Sequence, residues 1–174
     1  QNVWQSMGGQ TVGSIWGHGA YIAPDWNADY LHRESEALLK IYAEEDGKVY
    51  SELTEEEQAK YQVRLRKELR NNTFDEATGV ITFSPERAKV AKELADYYRR
   101  LFMNDPALKT TRVHYAIPDN AIKDEARMAQ MSAFFTWTSW VCSTNRPGSD
   151  VTYTNNWPYD PVIGNHPSTS LQMW

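Results

Sequence analysis

Gly17-His18-Gly19-Ala20-Tyr21-Ile22-Ala23-Pro24 is the stretch from which the fold is read. It closes a run from Gly8 to Gly19 that holds five glycines. Such a run suits a loop or a close backbone approach better than a helix interior. Pro24-Asp25 then opens a helix. Asp25 is placed as its cap, and Tyr30, Leu31, Glu34, Leu38, Ile41 and Tyr42 follow at three- and four-residue spacings. Asp46-Gly47 ends it.

Further along, Thr54 and Glu57 are spaced for a capping box, and a helix continues through Tyr61, Leu65 and Leu69 to Asn71-Asn72. Its outer face carries charges of both signs and reads as solvated. Phe74 and Val80-Ile81-Thr82-Phe83 flank a loop containing Gly79, which predicts a small β-hairpin. Ser84-Pro85 supplies an N-cap and a proline at the first helical position, and that helix runs to about Met103. A connector with Pro106 and Pro118 follows. Asp119 is expected to start the last long helix, which passes Ile122, Ala126, Ala133, Trp137 and Trp140 and stops at Asn145-Arg146-Pro147-Gly148. The remainder is expected to be extended. The fold class is therefore mainly α: about four helices, an inserted hairpin as a minor α+β component, and irregular ends.

Composition narrows the function. The 174 residues suffice for one domain with a core, and 13% aromatic residues, with seven Trp and ten Tyr, argue for a folded chain. The net charge is −5 and no Lys/Arg stripe is interleaved with aromatics, so no nucleic-acid partner is expected. The single cysteine, Cys142, excludes an internal disulfide. No apolar run approaches the roughly 18 residues that would span a bilayer, and no signal peptide is recognised at the start. Ser170-Leu171-Gln172-Met173-Trp174 reads as the first turn of a continuing segment, with Trp174 placed as a membrane-interface anchor would be.

The opening stretch and Thr154-Asn155-Asn156-Trp157-Pro158 resemble the motifs that bracket the extracytoplasmic cytochrome c-like domain of bacterial nitric oxide reductases. In the haem-bearing subunit of that family, CxxCH is followed after three residues by Gly-x-Gly-Ala-Tyr and then Ala-Pro. Counting back from Gly17 places the haem motif on Gly9-Gln10-Thr11-Val12-Gly13, where both cysteines and the histidine are missing. The distal Met-Pro of such cytochromes falls on Ile117-Pro118, and Phe134-Phe135-Thr136-Trp137-Thr138 matches the family's last helix. Covalent attachment and both axial bonds are lost together. The resemblance is to the quinol-dependent branch, in which the domain has no haem c. The middle of the chain, with its second helix and hairpin, is an insertion relative to the compact cytochrome.

The resemblance implies that residues 1–174 are one soluble cytochrome c-like domain, cut from between two transmembrane helices of a larger protein on the periplasmic face of the bacterial inner membrane. It implies a parent that reduces nitric oxide to nitrous oxide with electrons from quinol, at haem b3 and a non-haem iron supplied through haem b. The domain's partner is then the membrane catalytic domain of the same chain, which it caps. In the family, the Gly and Tyr of the opening loop help hold calcium, so Gly19, through its carbonyl, and Tyr21 take those places in the intact enzyme. Calcium needs six to eight oxygens, so two cannot hold it here. No catalytic residue and no resident cofactor are assigned to this chain.

The other candidate residues have plainer readings. Met128 and Met131 fill the core rather than ligate. Cys142 is a buried thiol. His18 sits in a glycine loop at the surface. His32, His114 and His166 lack metal-site spacing, and His32 with Glu36 is a surface contact. Gly13-Ser14-Ile15-Trp16-Gly17 misses the GxSxG nucleophile elbow by one place. Trp137, Trp140, Tyr153, Trp157 and Tyr159 suggest the alternative of a stand-alone helical module with an aromatic site for a sugar, a peptide or a partner surface.

Overall fold

The structure is a computed structural model that describes residues 1–169; the reading of Ser170–Trp174 as a continuing segment lies outside the described residues. Among the described residues, six helices and two two-stranded antiparallel sheets occur in the order α1 (Asn2–Ser6), β1 (Ser14–Ile15), β2 (His18–Gly19), α2 (Trp26–Glu45), α3 (Glu55–Arg70), β3 (Phe74–Asp75), β4 (Val80–Ile81), α4 (Pro85–Phe102), α5 (Lys109–His114) and α6 (Glu125–Ser143). The mainly α class holds. The residues group into two compact units, Gln1–Tyr30 with Ala91–Ser139, and Leu31–Val90 with the chain from Trp140.

In the first unit the core is built on aromatic rings. Trp26, fully buried, stacks on Phe135 at 5.7 Å and meets Phe102 edge-on at 5.2 Å. Trp4, Tyr98 and Tyr115 close around it at 6.5, 6.3 and 6.1 Å. Tyr30 stacks on Tyr98, and Leu101, Met128 and Met131 fill the remaining space. Rings of this size, packed edge-to-face, contribute about 0.5–1.5 kcal/mol per pair beyond the area they bury.

Two expectations for this unit are corrected. The connector after α4 is not irregular throughout. A 3-10 turn at Pro106–Leu108 leads into α5. Its Thr110, Thr111 and Val113 are poor helix formers, which hid it. The turn is closed by contacts within residues 105–117: buried Arg112 donates from Nη1 to the Asp105 carbonyl at 2.8 Å, and Ile117 N–H donates to the Arg112 carbonyl at 3.0 Å. The last helix begins at Glu125, not Asp119, and Asp124 caps it by accepting from Arg127 N–H at 2.8 Å. Ala116 and Asn120 have φ of 50° and 52°, and Ile122 N–H donates to the Phe102 carbonyl. Residues 119–124 are therefore spent crossing to the end of α4.

In the second unit the expected caps form. Thr54 and Glu57 make the reciprocal capping box, and Ser84 Oγ accepts from Arg87 N–H at 3.0 Å ahead of Pro85. The hairpin pairs Phe74 with Ile81 and Asp75 with Val80. Leu31, Leu38, Tyr42, Leu65, Leu69 and Val90 are buried, and among them lies a buried ion pair, Arg87 Nε to Glu34 Oε1 at 2.7 Å. The segment after α6 is not extended, as the sequence suggested. It folds into turns pinned to the end of α3. Asn155 and Asn156 adopt φ of 56° and 60°. Arg66 donates to the carbonyls of Val162 and Pro161 at 2.7 and 2.9 Å, and Arg70 lies inside the turns.

Candidate functional site

The glycine-rich stretch is a hydrogen-bonded platform at the head of α2. Gly9–Val12 forms a 3-10 turn, and β1 and β2 pair Ser14 with Gly19 and Ile15 with His18. Trp16-Gly17 is thus the two-residue loop of a hairpin, with φ of 52° and 76°. Positive φ at both positions is what a type I′ turn requires. Asp25 ties hairpin to helix. Its carboxylate accepts from Ser14 Oγ and Gly17 N–H, both at 2.7 Å, and from Ala28 N–H at 3.2 Å. Burial pushes the Asp25 carboxyl above its usual range, and the hydrogen bonds from Gly17, Ser14, Ala28 and Asn27 oppose that rise. Asn27 is buried and accepts from Trp16 N–H at 2.7 Å.

The backbone is clamped onto Trp26. The indole N–H of Trp26 donates to the Val12 carbonyl at 2.8 Å. A Cβ on Gly13 would lie 2.4 Å from that indole nitrogen and 2.7 Å from the Pro24 carbonyl. Glycine is required there because the strand must pass within backbone distance of a large ring.

The predicted site residues fall as follows. Gly19 is paired in β2. Tyr21, with its neighbour Ile22, stands out from the platform, 90% and 60% exposed. His18 is exposed. Gly9 to Gly13 carry no thiol or imidazole, and Ile117 is buried. Met128, Met131 and Cys142 are buried as core side chains. His32 and Glu36 make an exposed contact at 3.6 Å. Among the described residues, no cluster of three or more His, Cys, Asp or Glu has metal-holding geometry, and no helix is long and apolar enough to cross a membrane.

The aromatic set is divided between the two units. Trp137, 45% exposed, packs on Trp16 at 5.5 Å and on Phe134 at 6.2 Å. Trp140 is buried and packs on Phe74 and Tyr153. Tyr159 meets His166. Sequence reasoning assigned Asp25 only a capping role and gave Trp16, Trp26 and Asn27 none. A Trp directly after Pro-Asp and a Trp directly before Gly were the available signals.

A family model described as the NorB cytochrome c-like domain of nitric oxide reductase matches residues 1–159. The chain belongs to that family. No curated protein matches it. For a NorB cytochrome c-like domain, the platform is the segment of most interest, because a cytochrome c attaches its haem through two thiols and an imidazole on one short segment. Residues 9–13 of this family member offer neither group, and Val12 and Gly13 lie against the buried indole of Trp26. A covalent haem does not fit these residues.

Proposed function

We propose that this chain is the haem-free extracytoplasmic domain of a quinol-dependent nitric oxide reductase, and that its role is structural. The observation that carries the reading is the packing of residues 9–13 onto Trp26. Behind this segment lies a buried indole, Trp26, hydrogen-bonded to Val12 and stacked on Phe135. An electron carrier without thiols or axial ligands for its haem cannot relay electrons. It suits an enzyme whose reductant, quinol, arrives from within the bilayer.

The parent in this reading converts two nitric oxide molecules to nitrous oxide and water at haem b3 and a non-haem iron, with haem b as donor, all in the membrane portion. The domain closes the periplasmic side of that portion. Tyr21 and Ile22, exposed at the edge of the platform, are the contact residues. The Gly19 carbonyl and the Tyr21 hydroxyl supply two of the oxygens around a calcium ion, and the membrane portion supplies the others.

The test is spectroscopic. Exported with a c-type haem maturation system, the purified chain shows no Soret band and its mass equals that of the polypeptide. A covalently bound haem would refute the proposal. In the whole enzyme, quinol-driven consumption of nitric oxide without any c-type haem signal checks the electron source.

A further inference from the structure

Arg64, Lys67 and Arg70 recur every three residues along α3. Opposite charges at this spacing stabilise a helix, whereas like charges destabilise it by a similar amount. Arg64 is engaged by Glu45 and, at 3.8 Å, by Glu86. Arg70 donates to neutral oxygens alone. Lys67, between them, is exposed and has no hydrogen-bond or ion-pair partner among the described residues. Nothing in the packing of the second unit calls for a positive charge there.

These three side chains line a cleft of about 660 Å³ together with Asn71, Phe83 and Arg87, all within the second unit. Arg87 is 3% exposed, lies over the Phe83 ring at 4.5 Å, and meets Glu34 through Nε and Nη2 at 2.7 and 3.4 Å. Its Nη1 has no partner among the described residues. A donor left unpaired on a buried guanidinium is costly, and an acceptor in the cleft would satisfy it. The volume is within the range of small-molecule sites. Phe83 and the aliphatic stem of Lys67 supply apolar surface for the body of such a ligand. Its charge is limited by the carboxylates nearby. Glu68 also lines the cleft, with its oxygens held by the Tyr42 and Ser84 hydroxyls, and Glu34 occupies the other edge of Arg87. Arg64 and Arg87 are each answered by a glutamate, which leaves Lys67 and Arg70 against Glu68. A single negative charge balances that surplus, whereas a dianion would meet the repulsion of two carboxylates. The two oxygens of one carboxylate match two separate donors, Lys67 Nζ and Arg87 Nη1.

We infer that this cleft binds a small organic monocarboxylate. Lys67 and Arg87 hold the carboxylate, and the Asn71 amide is a further donor. No reaction is assigned to the site. It adds a ligand to a domain whose proposed role is structural, and it does not rest on that role.

The test is a titration of the 174-residue protein with benzoate and with hexanoate at constant ionic strength, followed by two-dimensional NMR. The backbone amides of Lys67, Asn71 and Ser84 and the side-chain Nε–H of Arg87 are expected to shift saturably, while the amide of Lys123, exposed in the first unit, stays in place. Benzamide, which has the shape of benzoate without its charge, should bind about tenfold more weakly or not at all. Phenyl phosphate, a monoester that is mainly dianionic at about pH 7, should also bind more weakly than benzoate. Lys67→Met keeps the stem and the helix propensity at an exposed position, so the fold persists, and it should weaken benzoate binding about tenfold. Asn71→Ala should weaken it about threefold, and Lys123→Met should leave it unchanged. Absence of any saturable shift at the cleft, an equal response to benzamide, phenyl phosphate binding as tightly as benzoate, or unchanged benzoate affinity in Lys67→Met with the dispersed spectrum intact would each overturn the inference.

Discussion

Removing the Arg70 side chain should release the whole segment that follows α6. Arg70 sits at the end of α3 and donates to six oxygens, none of them a carboxylate. Nε reaches the Ile163 carbonyl at 3.1 Å. Nη1 reaches Asn145 Oδ1 at 2.8 Å, the Asp150 carbonyl at 3.1 Å and Asn156 Oδ1 at 3.4 Å. Nη2 reaches Asn165 Oδ1 at 3.0 Å and the Gly164 carbonyl. Burial lowers the Arg70 pKa, and the charge of nearby Asp150 partly opposes that shift. A hydrogen bond to a charged group contributes about 1.5–3 kcal/mol when buried, and partial solvation reduces this to roughly 0.5–0.7 kcal/mol per contact here. The guanidinium has five N–H groups to share among these oxygens, so five such contacts give about 2.5–3.5 kcal/mol for Arg70→Ala. Lysine has three donors and no fork, so Arg70→Lys should retain about half of that. Urea unfolding measures the total. Hydrogen exchange locates it: the amides of Arg146 and Asn165, which donate to Val151 and Asp160, should lose protection ahead of those in α3. A loss under about 1 kcal/mol for Arg70→Ala, or a Lys variant equal to the parent, would refute the argument that a forked donor organises this segment.

Other perturbations have equally definite outcomes. Gly13→Ala puts a methyl 2.4 Å from Trp26 Nε1 at φ +120°, and thermal unfolding should show a loss of about 2–4 kcal/mol from overpacking and backbone strain together. Glu34→Gln leaves Arg87 buried without its counter-charge and should cost about 3–5 kcal/mol in chemical denaturation, whereas Glu34→Leu with Arg87→Met should recover much of that loss. Acid should destabilise the fold through Asp46, held low by hydrogen bonds from Lys60 and Tyr61, through Glu57, held low by Lys48 and Thr54, and through Asp105, held low by Arg100 and Ala107. Their folded pKa values lie below the unfolded ones, so their contribution is complete above 3.8 for Asp and 4.5 for Glu and is lost as pH falls through the lowered values. Asp25 has the opposite sign: its raised folded pKa makes the folded state gain stability as pH falls from the raised value toward 3.8. Thermal midpoints across this range should therefore fall steeply below about pH 4, and Asp25→Asn should remove any rise that precedes the fall.

Local signals with a local cause were legible in the chain alone. The Thr54/Glu57 box, the Ser84-Pro85 start, the hairpin around Gly79 and the stop at Asp46-Gly47 each depend on a few neighbouring residues, and each forms. The missing thiols and imidazole of residues 9–13 were equally plain, because a covalent attachment needs named groups at fixed spacing. The tertiary structure decided what depends on partners far along the chain. The last helix starts late because residues 119–124 must reach Phe102, and the turns after Asn145 exist because Arg66 and Arg70 supply their donors. Whether Trp26 fills a core or faces solvent, and whether Trp16 is an ordinary loop residue or a held ring, is likewise set by what surrounds each indole. A sequence lists side chains and their spacing along the backbone, whereas burial and hydrogen-bond partners arise only when distant segments are brought into contact.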